Sequence, residues 1–305
     1  MPWVDCPSHE FKIGLDVEEG KIKRFLTSIV LAVAALSAAP ASRAQDSQNW
    51  KWCSLEVYTG FEQRISACSD IIRAGGDPPA KLPYAYCNRG SAYQQHGDLD
   101  KAIADYDEVV KLDPVSHLSY VCRAHGHQAR RQFDQAIDDY NRAIALNPRS
   151  TDAFVGRGIA YRSKGEYDRA IADYTDAIRL DSVYVPAFRN RALAYHYKAD
   201  HDRAIADYTE AIRLDPRFAL AFSNRGLEYY IKRDYDHAIA DYTEAIRLDP
   251  KLAPAFLQRS ATYRATGNLK RASEDYAEAV RLEPRVVRAN QASEKRQGTR
   301  SRGAR

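Results

Sequence analysis

Cysteine and histidine are the residue types in this sequence best suited to chemistry, and most of them lie before residue 130. Cys53, Cys68, Cys87 and Cys122 remain if a leader segment containing Cys6 is removed. An even number of cysteines in an oxidising compartment predicts disulfides, and four cysteines allow three connectivities. Two local bridges, Cys53–Cys68 and Cys87–Cys122, would each stabilise the first part of the chain by about 2–4 kcal/mol.

A metal site is the other chemistry that these residues could support. His117, His125 and His127 lie near Cys122, and a spacing of three places Cys122 and His125 on one helix face. The spacing does not match ordinary zinc motifs, and thiols in an oxidising compartment pair with one another. We therefore expect no metal site and no cofactor.

Motifs of common enzyme classes are absent from the sequence. It contains no Gly-x-Ser-x-Gly, no Gly-x-x-x-x-Gly-Lys, no His-Glu-x-x-His and no Gly-x-Gly-x-x-Gly. The net charge of +4 on 305 residues is too small to indicate nucleic-acid binding by itself. We expect a protein that is not an enzyme and that has no nucleic-acid partner.

Residues 1–44 have features of an export signal. A basic segment at 21–24 precedes residues 25–39, which carry no charge, and residues 41–44 offer small side chains for cleavage after Ala44. As a helix, the uncharged stretch spans about 22 Å, short of the ~30 Å hydrocarbon core, so a permanent membrane span is not expected. Since the basic segment lies far from the first methionine, translation is expected to begin near Val17. We predict export to the periplasm of a bacterium or secretion from it.

A period of 34 residues organises the rest of the chain. Proline recurs after an acidic or amide residue, with Ser182 in the missing place, at Pro114, Pro148, Pro216, Pro250 and Pro284. The frame holds without an insertion and defines six units, 83–116, 117–150, 151–184, 185–218, 219–252 and 253–286. Repetition at this period is typical of helical solenoids.

Each unit has the apolar pattern of two helices joined by a turn. The first helix carries an aromatic residue at its fourth place, a small residue at its eighth and Tyr or His at its eleventh, which lie on one helix face. The turn has glycine in three units and Arg131, Ala199 and Arg233 in the others. The second helix carries an alanine followed four residues later by Tyr106, Tyr140, Tyr174, Tyr208, Tyr242 or Tyr276. Small residues let helix axes approach, and aromatic rings fill the space beside them.

This pattern resembles the tetratricopeptide repeat (TPR), in the variant Arg-Gly-x-Ala-Tyr, Ala-Ile-x-Asp-Tyr, Leu-Asp-Pro. The second unit departs most, with Ala124 and His127 in place of Gly and Tyr. The resemblance covers residues 83–286 and implies an all-α, right-handed α-solenoid with a concave groove for peptides and no catalytic chemistry. Residues 45–82 are predicted to form a degenerate capping hairpin, because a terminal unit buries only one side. Residues 287–305 are predicted to be a C-terminal cap and a disordered basic tail.

Two charged columns run through the units. An arginine follows the first aromatic residue by three places, and an aspartate directly precedes the tyrosine of the second helix. The arginines could bind anionic peptides, but one aspartate for each arginine favours a structural ladder between the helices. The expected pairs are Arg89–Asp105, Arg123–Asp139, Arg157–Asp173, Arg191–Asp207, Arg225–Asp241 and Arg259–Asp275.

The second, fifth, ninth, twelfth and thirteenth places of each first helix are predicted to face the groove. They mix Arg, His and Tyr with aliphatic residues, which indicates a partner segment with apolar anchors and some acidic groups. No lysine occupies these places, so the Lys/Asn clamp by which some TPR proteins hold a C-terminal carboxylate is not expected. The candidate partner-binding residues are Arg162, Arg189, Asn190, Leu193, His196, Tyr197, Asn224, Leu227, Tyr230 and Arg264.

These features predict a non-enzymatic scaffold or adaptor that binds a peptide or a segment of a partner protein in the groove. The alternative is an envelope-surface module that holds an anionic polymer or lipid through the groove and the basic tail. Binding of the second kind should weaken steeply between low and physiological salt. The sequence leaves the oligomeric state open.

Overall fold

The computed structural model describes residues 48–54, 60–75 and 79–284. The predicted export signal and the predicted C-terminal tail lie outside these residues. Helix α1 covers 48–53, and a short 3-10 turn, Pro79–Lys81, precedes α3. The other helices are α2 Phe61–Arg73, α3 Leu82–His96, α4 Leu99–Leu112, α5 His117–Ala129, α6 Phe133–Leu146, α7 Thr151–Ser163, α8 Tyr167–Leu180, α9 Val185–Tyr197, α10 His201–Leu214, α11 Ala219–Ile231, α12 Tyr235–Leu248, α13 Ala253–Ala265 and α14 Leu269–Leu282.

The helices pack in the order of the sequence. From α3 onward, each odd-numbered helix is the first of a unit and packs on the second helix of its own unit and on that of the preceding unit. All regular structure in the described residues is helical, so the predicted all-α solenoid is confirmed. Among the described helices, none has the combination of length and apolar character that a bilayer span requires.

The first helices contact one another along the stack. Successive first helices meet in this way: α3 contacts α5, for example, and α7 contacts α9. Among the described residues, second helices do not approach one another to a comparable extent. The first helices are therefore the closer set, and the free face that they share is the surface predicted to bind a partner. We call this surface the first-helix face.

The tyrosines of the second helices form the core between units. Tyr140 and Tyr174 are completely buried and Tyr208 is 1% exposed, which confirms the predicted packing. A Cβ atom at Gly156 would lie 2.4 Å from Cζ of Tyr140 and 2.6 Å from its hydroxyl oxygen. Such separations are impossible for a real side chain, so the ring of Tyr140 occupies the space that only glycine leaves open.

The turn inside each unit requires a left-handed residue. Gly97, Gly165 and Gly267 have φ between 81° and 95° there. Arg131, Ala199 and Arg233 occupy the same place in the other units with φ between 57° and 62°. The conformation costs a residue with a Cβ atom about 1–2 kcal/mol, so these three turns carry strain that the glycine turns avoid.

Ala199→Gly is expected to raise the free energy of unfolding by about 0.5–1 kcal/mol. Relief of the left-handed strain exceeds the entropy that glycine adds to the unfolded chain. Urea denaturation followed by circular dichroism measures the change. Ala206→Gly, at an exposed position within α10, is the matched control and should cost about 1 kcal/mol. A loss of stability in Ala199→Gly would contradict the strain argument.

Candidate partner-binding site

The six arginines that recur at the same place of each unit form the ladder that the sequence predicts. Each donates Nε and Nη2 to the two carboxylate oxygens of its aspartate at 2.6–2.9 Å. In Arg191 and Arg225 the remaining Nη1 reaches the preceding unit, where Thr175 Oγ1 and Thr209 Oγ1 accept at 3.0 Å. One arginine therefore joins three helices, and the ladder is confirmed.

Burial and ion pairing oppose each other in this ladder. The hydrogen bonds that Arg191 donates to Asp207 raise the pKa of Arg191 above its ordinary value. Burial raises the pKa of Asp173, although the hydrogen bond from Arg157 acts in the opposite direction. Since the loss of water offsets much of the attraction, the ladder contributes to the register of the helices as well as to stability.

Two other arginines lie on the first-helix face without an acidic partner. Arg162 is near the end of α7 and Arg189 is in the first half of α9. Among the described residues, neither forms an ion pair. Burial is the main cause that lowers the pKa of Arg189, and the positive charge of Arg162 lowers it further.

A tyrosine hydroxyl completes this group of donors. The Tyr174 hydroxyl lies beside Arg162, and the positive charges of Arg162 and Arg189 both act to lower its pKa. Nε of Arg162 is buried without a hydrogen-bond partner, and the contact of Arg162 with the Tyr174 hydroxyl also acts to lower the pKa of Tyr174. Burial raises the pKa of Tyr174 by more than these effects lower it, so the hydroxyl remains protonated and can donate. We call Arg162, Tyr174 and Arg189 the donor cluster. The Tyr174 side chain is completely buried, so the partly exposed guanidinium groups of Arg162 and Arg189 are the donors of this cluster that an anion on the surface would reach.

The predicted residues next to the donor cluster differ in how accessible they are. Leu193 and Leu227 are half-buried, as apolar anchors for a partner would be. Asn224 is also half-buried and lies beside the Tyr208 hydroxyl. Asn190 is only 2% exposed, and its Nδ2 donates to the backbone oxygen of Pro186 at 2.9 Å. The amide of Asn190 therefore contributes little to an open surface.

The remaining predicted residues lie towards the edges of the face. Tyr197 is 52% exposed and stacks on Tyr167, with ring centroids 5.4 Å apart. Tyr230 packs at a tilt against Tyr235, with centroids 5.7 Å apart. Arg264 is exposed. The structure does not gather these three side chains with the donor cluster.

The fifth place of the unit does not always face the groove. Val155 and Ser223 are each 3% exposed. Ser223 donates its hydroxyl to Gln258 Oε1 at 3.0 Å in the following unit. The expectation that this place lines the groove in every unit is therefore wrong for these two residues, because the neighbouring first helix covers them.

His196 makes an interaction that sequence reasoning missed. Its Nδ1 lies 2.7 Å from Oε1 of Glu228, and Nδ1 of His201 lies 2.8 Å from Oε2 of the same carboxylate. Glu228 is 1% exposed. A signal for this cluster was present, because other units have a small residue at the place of Glu228.

The four cysteines of the described residues form two pairs. Cys53 bonds to Cys68 with a Cα–Cα distance of 5.0 Å, and Cys87 bonds to Cys122 at 6.3 Å. The first pair joins α1 to α2 and the second joins α3 to α5. This pairing fits the two local bridges considered from the sequence. Cys122 therefore has no free thiol with which to join His125 in the metal site considered from the sequence.

Models of the tetratricopeptide repeat match most of the helical region. The matched segments are 83–114, 123–184, 185–218, 219–252 and 253–286. A search of curated proteins found no significant match to the sequence.

Several solved structures share the fold at low sequence identity. A tetratricopeptide repeat protein from Parabacteroides merdae has a TM-score of 0.62 at 17% identity, covering 82% of this chain and 97% of that one. PilF of Pseudomonas aeruginosa has a TM-score of 0.60 at 19% identity, and the match covers 70% of this chain and 98% of that one. PilW, described as a type IV pilus biogenesis factor, has a TM-score of 0.61 at 19% identity, and the match covers 67% of this chain and 95% of that one. At these identities the likeness concerns the fold alone. With the repeat models matching more than half of its residues, the chain belongs to the tetratricopeptide repeat family.

Proposed function

We propose that this protein is a non-enzymatic interaction scaffold whose first-helix face binds an extended segment of a partner protein. An acidic group of that segment binds the donor cluster. The observation that carries the proposal is the contrast between two sets of arginines. The six ladder arginines each have an aspartate, whereas Arg162 and Arg189 have no acidic partner among the described residues.

The surroundings of the donor cluster favour a carboxylate over water as its partner. Burial has already removed much of the water from Arg189, as the direction of its pKa shift indicates. A hydrogen bond to a charged group contributes about 1.5–3 kcal/mol, and arginine can form two parallel ones with a carboxylate. The half-buried Leu193 and Leu227 offer apolar contacts for neighbouring residues of the same segment.

The double variant Arg162→Gln/Arg189→Gln is expected to weaken partner binding at least tenfold, because charge-assisted hydrogen bonds are lost. The partner is first captured by crosslinking in the native envelope, and its bound segment is mapped by mass spectrometry. Affinity for a synthetic peptide of that segment is then measured by calorimetry, together with a peptide whose acidic residues are changed to amides.

Arg213→Gln/Arg247→Gln is the matched control for this test. It also removes two positive charges, but it removes them from exposed arginines on second helices, which pair with Glu210 and Glu244. The control should bind the peptide as the unaltered protein does. Equal affinity of all three proteins for both peptides would contradict the proposal. Binding that falls steeply with salt and is lost equally in both double variants would favour the anionic polymer or lipid alternative.

We also propose that the protein acts outside the cytoplasm, in the envelope of a bacterium or as a secreted protein. Two disulfides support this location, since such bonds persist in oxidising compartments. The signal-like composition of residues 1–44 supports it as well. N-terminal sequencing of the protein from its native cells should begin at Gln45. A mature chain that retains earlier residues would contradict cleavage at this site.

A further inference from the structure

A cluster of two imidazoles and one carboxylate joins the fourth unit to the fifth. His196 is the last residue but one of α9, His201 begins α10, and Glu228 lies in α11. One ligand atom from each of the three side chains can be chosen so that all lie within 4.8 Å of one another. Within the described residues, no other three side chains of His, Cys, Asp or Glu place their ligand atoms this close together.

Two members of the cluster break the rule of the repeat. Glu228 stands at the tenth place of its unit, where the other units have Ala92, Gly126, Ala160, Ala194 and Thr262. His201 stands at the seventeenth place, where the others have Leu99, Phe133, Tyr167, Tyr235 and Leu269. Both departures occur once and meet at the same point in space. Local departures from an otherwise consistent pattern are typical of functional sites.

The charge of Glu228 is not balanced by an ordinary cation. Among the described residues its ion-pair partners are His196 and His201, with no lysine or arginine. Neutral imidazoles can donate both hydrogen bonds without carrying charge. A fully buried carboxylate requires a compensating positive charge, which a protonated imidazole or a bound divalent cation would supply.

We infer that His196, His201 and Glu228 form a binding site for a divalent transition-metal ion of the Zn²⁺ class. Two imidazole nitrogens and one carboxylate oxygen are a ligand set that Zn²⁺ uses with water in the fourth position. Tetrahedral ligands at about 2.0 Å from the ion lie about 3.3 Å apart, so the short nitrogen–oxygen contacts must widen by about 0.5 Å, and ligand atoms that are as far as 4.8 Å apart must approach each other. The imidazoles, 25% and 24% exposed, have room for this movement and for a bound water.

Metal binding would fix the relative position of two neighbouring units. His196 and His201 flank the turn of the fourth unit, and Glu228 belongs to the first helix of the fifth. The ion therefore crosslinks the two units at the first-helix face, beside Tyr197, whose ring lies 5.4 Å from that of His196. This site involves neither the donor cluster nor the ladder.

The test uses the full-length, oxidised protein after removal of metals by chelation. Equilibrium dialysis against ZnCl₂ at pH 7.5 is expected to show one ion bound per chain with this cluster. His201→Gln and Glu228→Gln should each weaken that binding about 100-fold or more, since even outer partners of metal ligands cost 10–100-fold. Co²⁺ should show the visible absorption of a tetrahedral site in the unaltered protein and lose it in both variants.

His237→Gln is the control for binding to surface histidines. His237 is exposed and pairs with Asp234 on its own helix, so its replacement should leave zinc affinity unchanged. Circular dichroism establishes that each variant is folded, and Glu228→Gln preserves shape and hydrogen bonding at the buried position. Zinc should raise the melting temperature of the unaltered protein and not that of Glu228→Gln. Equal zinc binding by the unaltered protein and the folded His201→Gln and Glu228→Gln variants, or no binding at all, would overturn the inference.

Discussion

Tyr140→Ala is expected to lower the free energy of unfolding by about 3–5 kcal/mol, the range for removal of a fully buried aromatic side chain. The ring of Tyr140 is completely buried, and its hydroxyl donates to Gln128 Oε1 at 2.7 Å. Tyr140→Phe keeps the ring and loses one hydrogen bond, so it should cost about 1 kcal/mol. Urea denaturation measures both variants. Similar losses in the two variants would show that the hydroxyl, and not the packing, carries the effect.

A second substitution tests the contact between Tyr140 and Gly156 directly. In the unaltered protein, Gly156→Ala should destabilise by about 1–3 kcal/mol, because the new methyl group meets the ring. In the Tyr140→Ala background the same substitution should be neutral or stabilising. The cavity then accepts the methyl group, and alanine favours a helix over glycine by about 1 kcal/mol. An effect of the same sign and size in both backgrounds would refute the proposed interlocking.

Asp207→Ala is expected to lower the free energy of unfolding by about 2–3 kcal/mol, below the range for a completely buried pair because Arg191 keeps some contact with water. The side chains of Arg191 and Asp207 are 17% and 9% exposed. Removal of the carboxylate leaves the guanidinium of Arg191 between two helices without its main acceptor. Peptide affinity at the donor cluster should stay unchanged, since Arg191 and Asp207 pair with each other and are not members of that cluster. Loss of affinity with normal stability would refute a structural role.

An exposed ion pair on the same helix provides the comparison for Asp207→Ala. Glu210 pairs with Arg213, whose side chain is 65% exposed, at 2.6 Å. Glu210→Ala should therefore cost less than about 0.5 kcal/mol. If the double variant Arg191→Met/Asp207→Leu recovers most of the stability lost in Asp207→Ala, the unpaired charge is the cause of the loss. If it does not, the shape of the pair matters more than its charge.

The architecture was readable from the sequence because every structural role recurs six times. The tyrosine of the second helix, the small residue that faces it and the Arg–Asp pair each appear at a constant place in the 34-residue frame. Their meaning depends on helix periodicity, which is local, and on contact with an identical neighbouring unit. Even the turn could be located, although Ala199 shows that a residue other than glycine can be held in the left-handed conformation.

The candidate sites were decided by the tertiary structure, because they depend on residues that vary between units. Arg162 and Arg189 look like other arginines in the sequence, and only the packing of α7 against α9 shows that no acidic residue in the described part of the chain pairs with them. Asn190 was predicted to be available, yet its amide donates to the helix backbone. Glu228 and His196 are 32 residues apart and meet because two units stack. Helix periodicity determines which face of a helix is buried, whereas the partner of a polar side chain depends on distances between units, which packing alone sets.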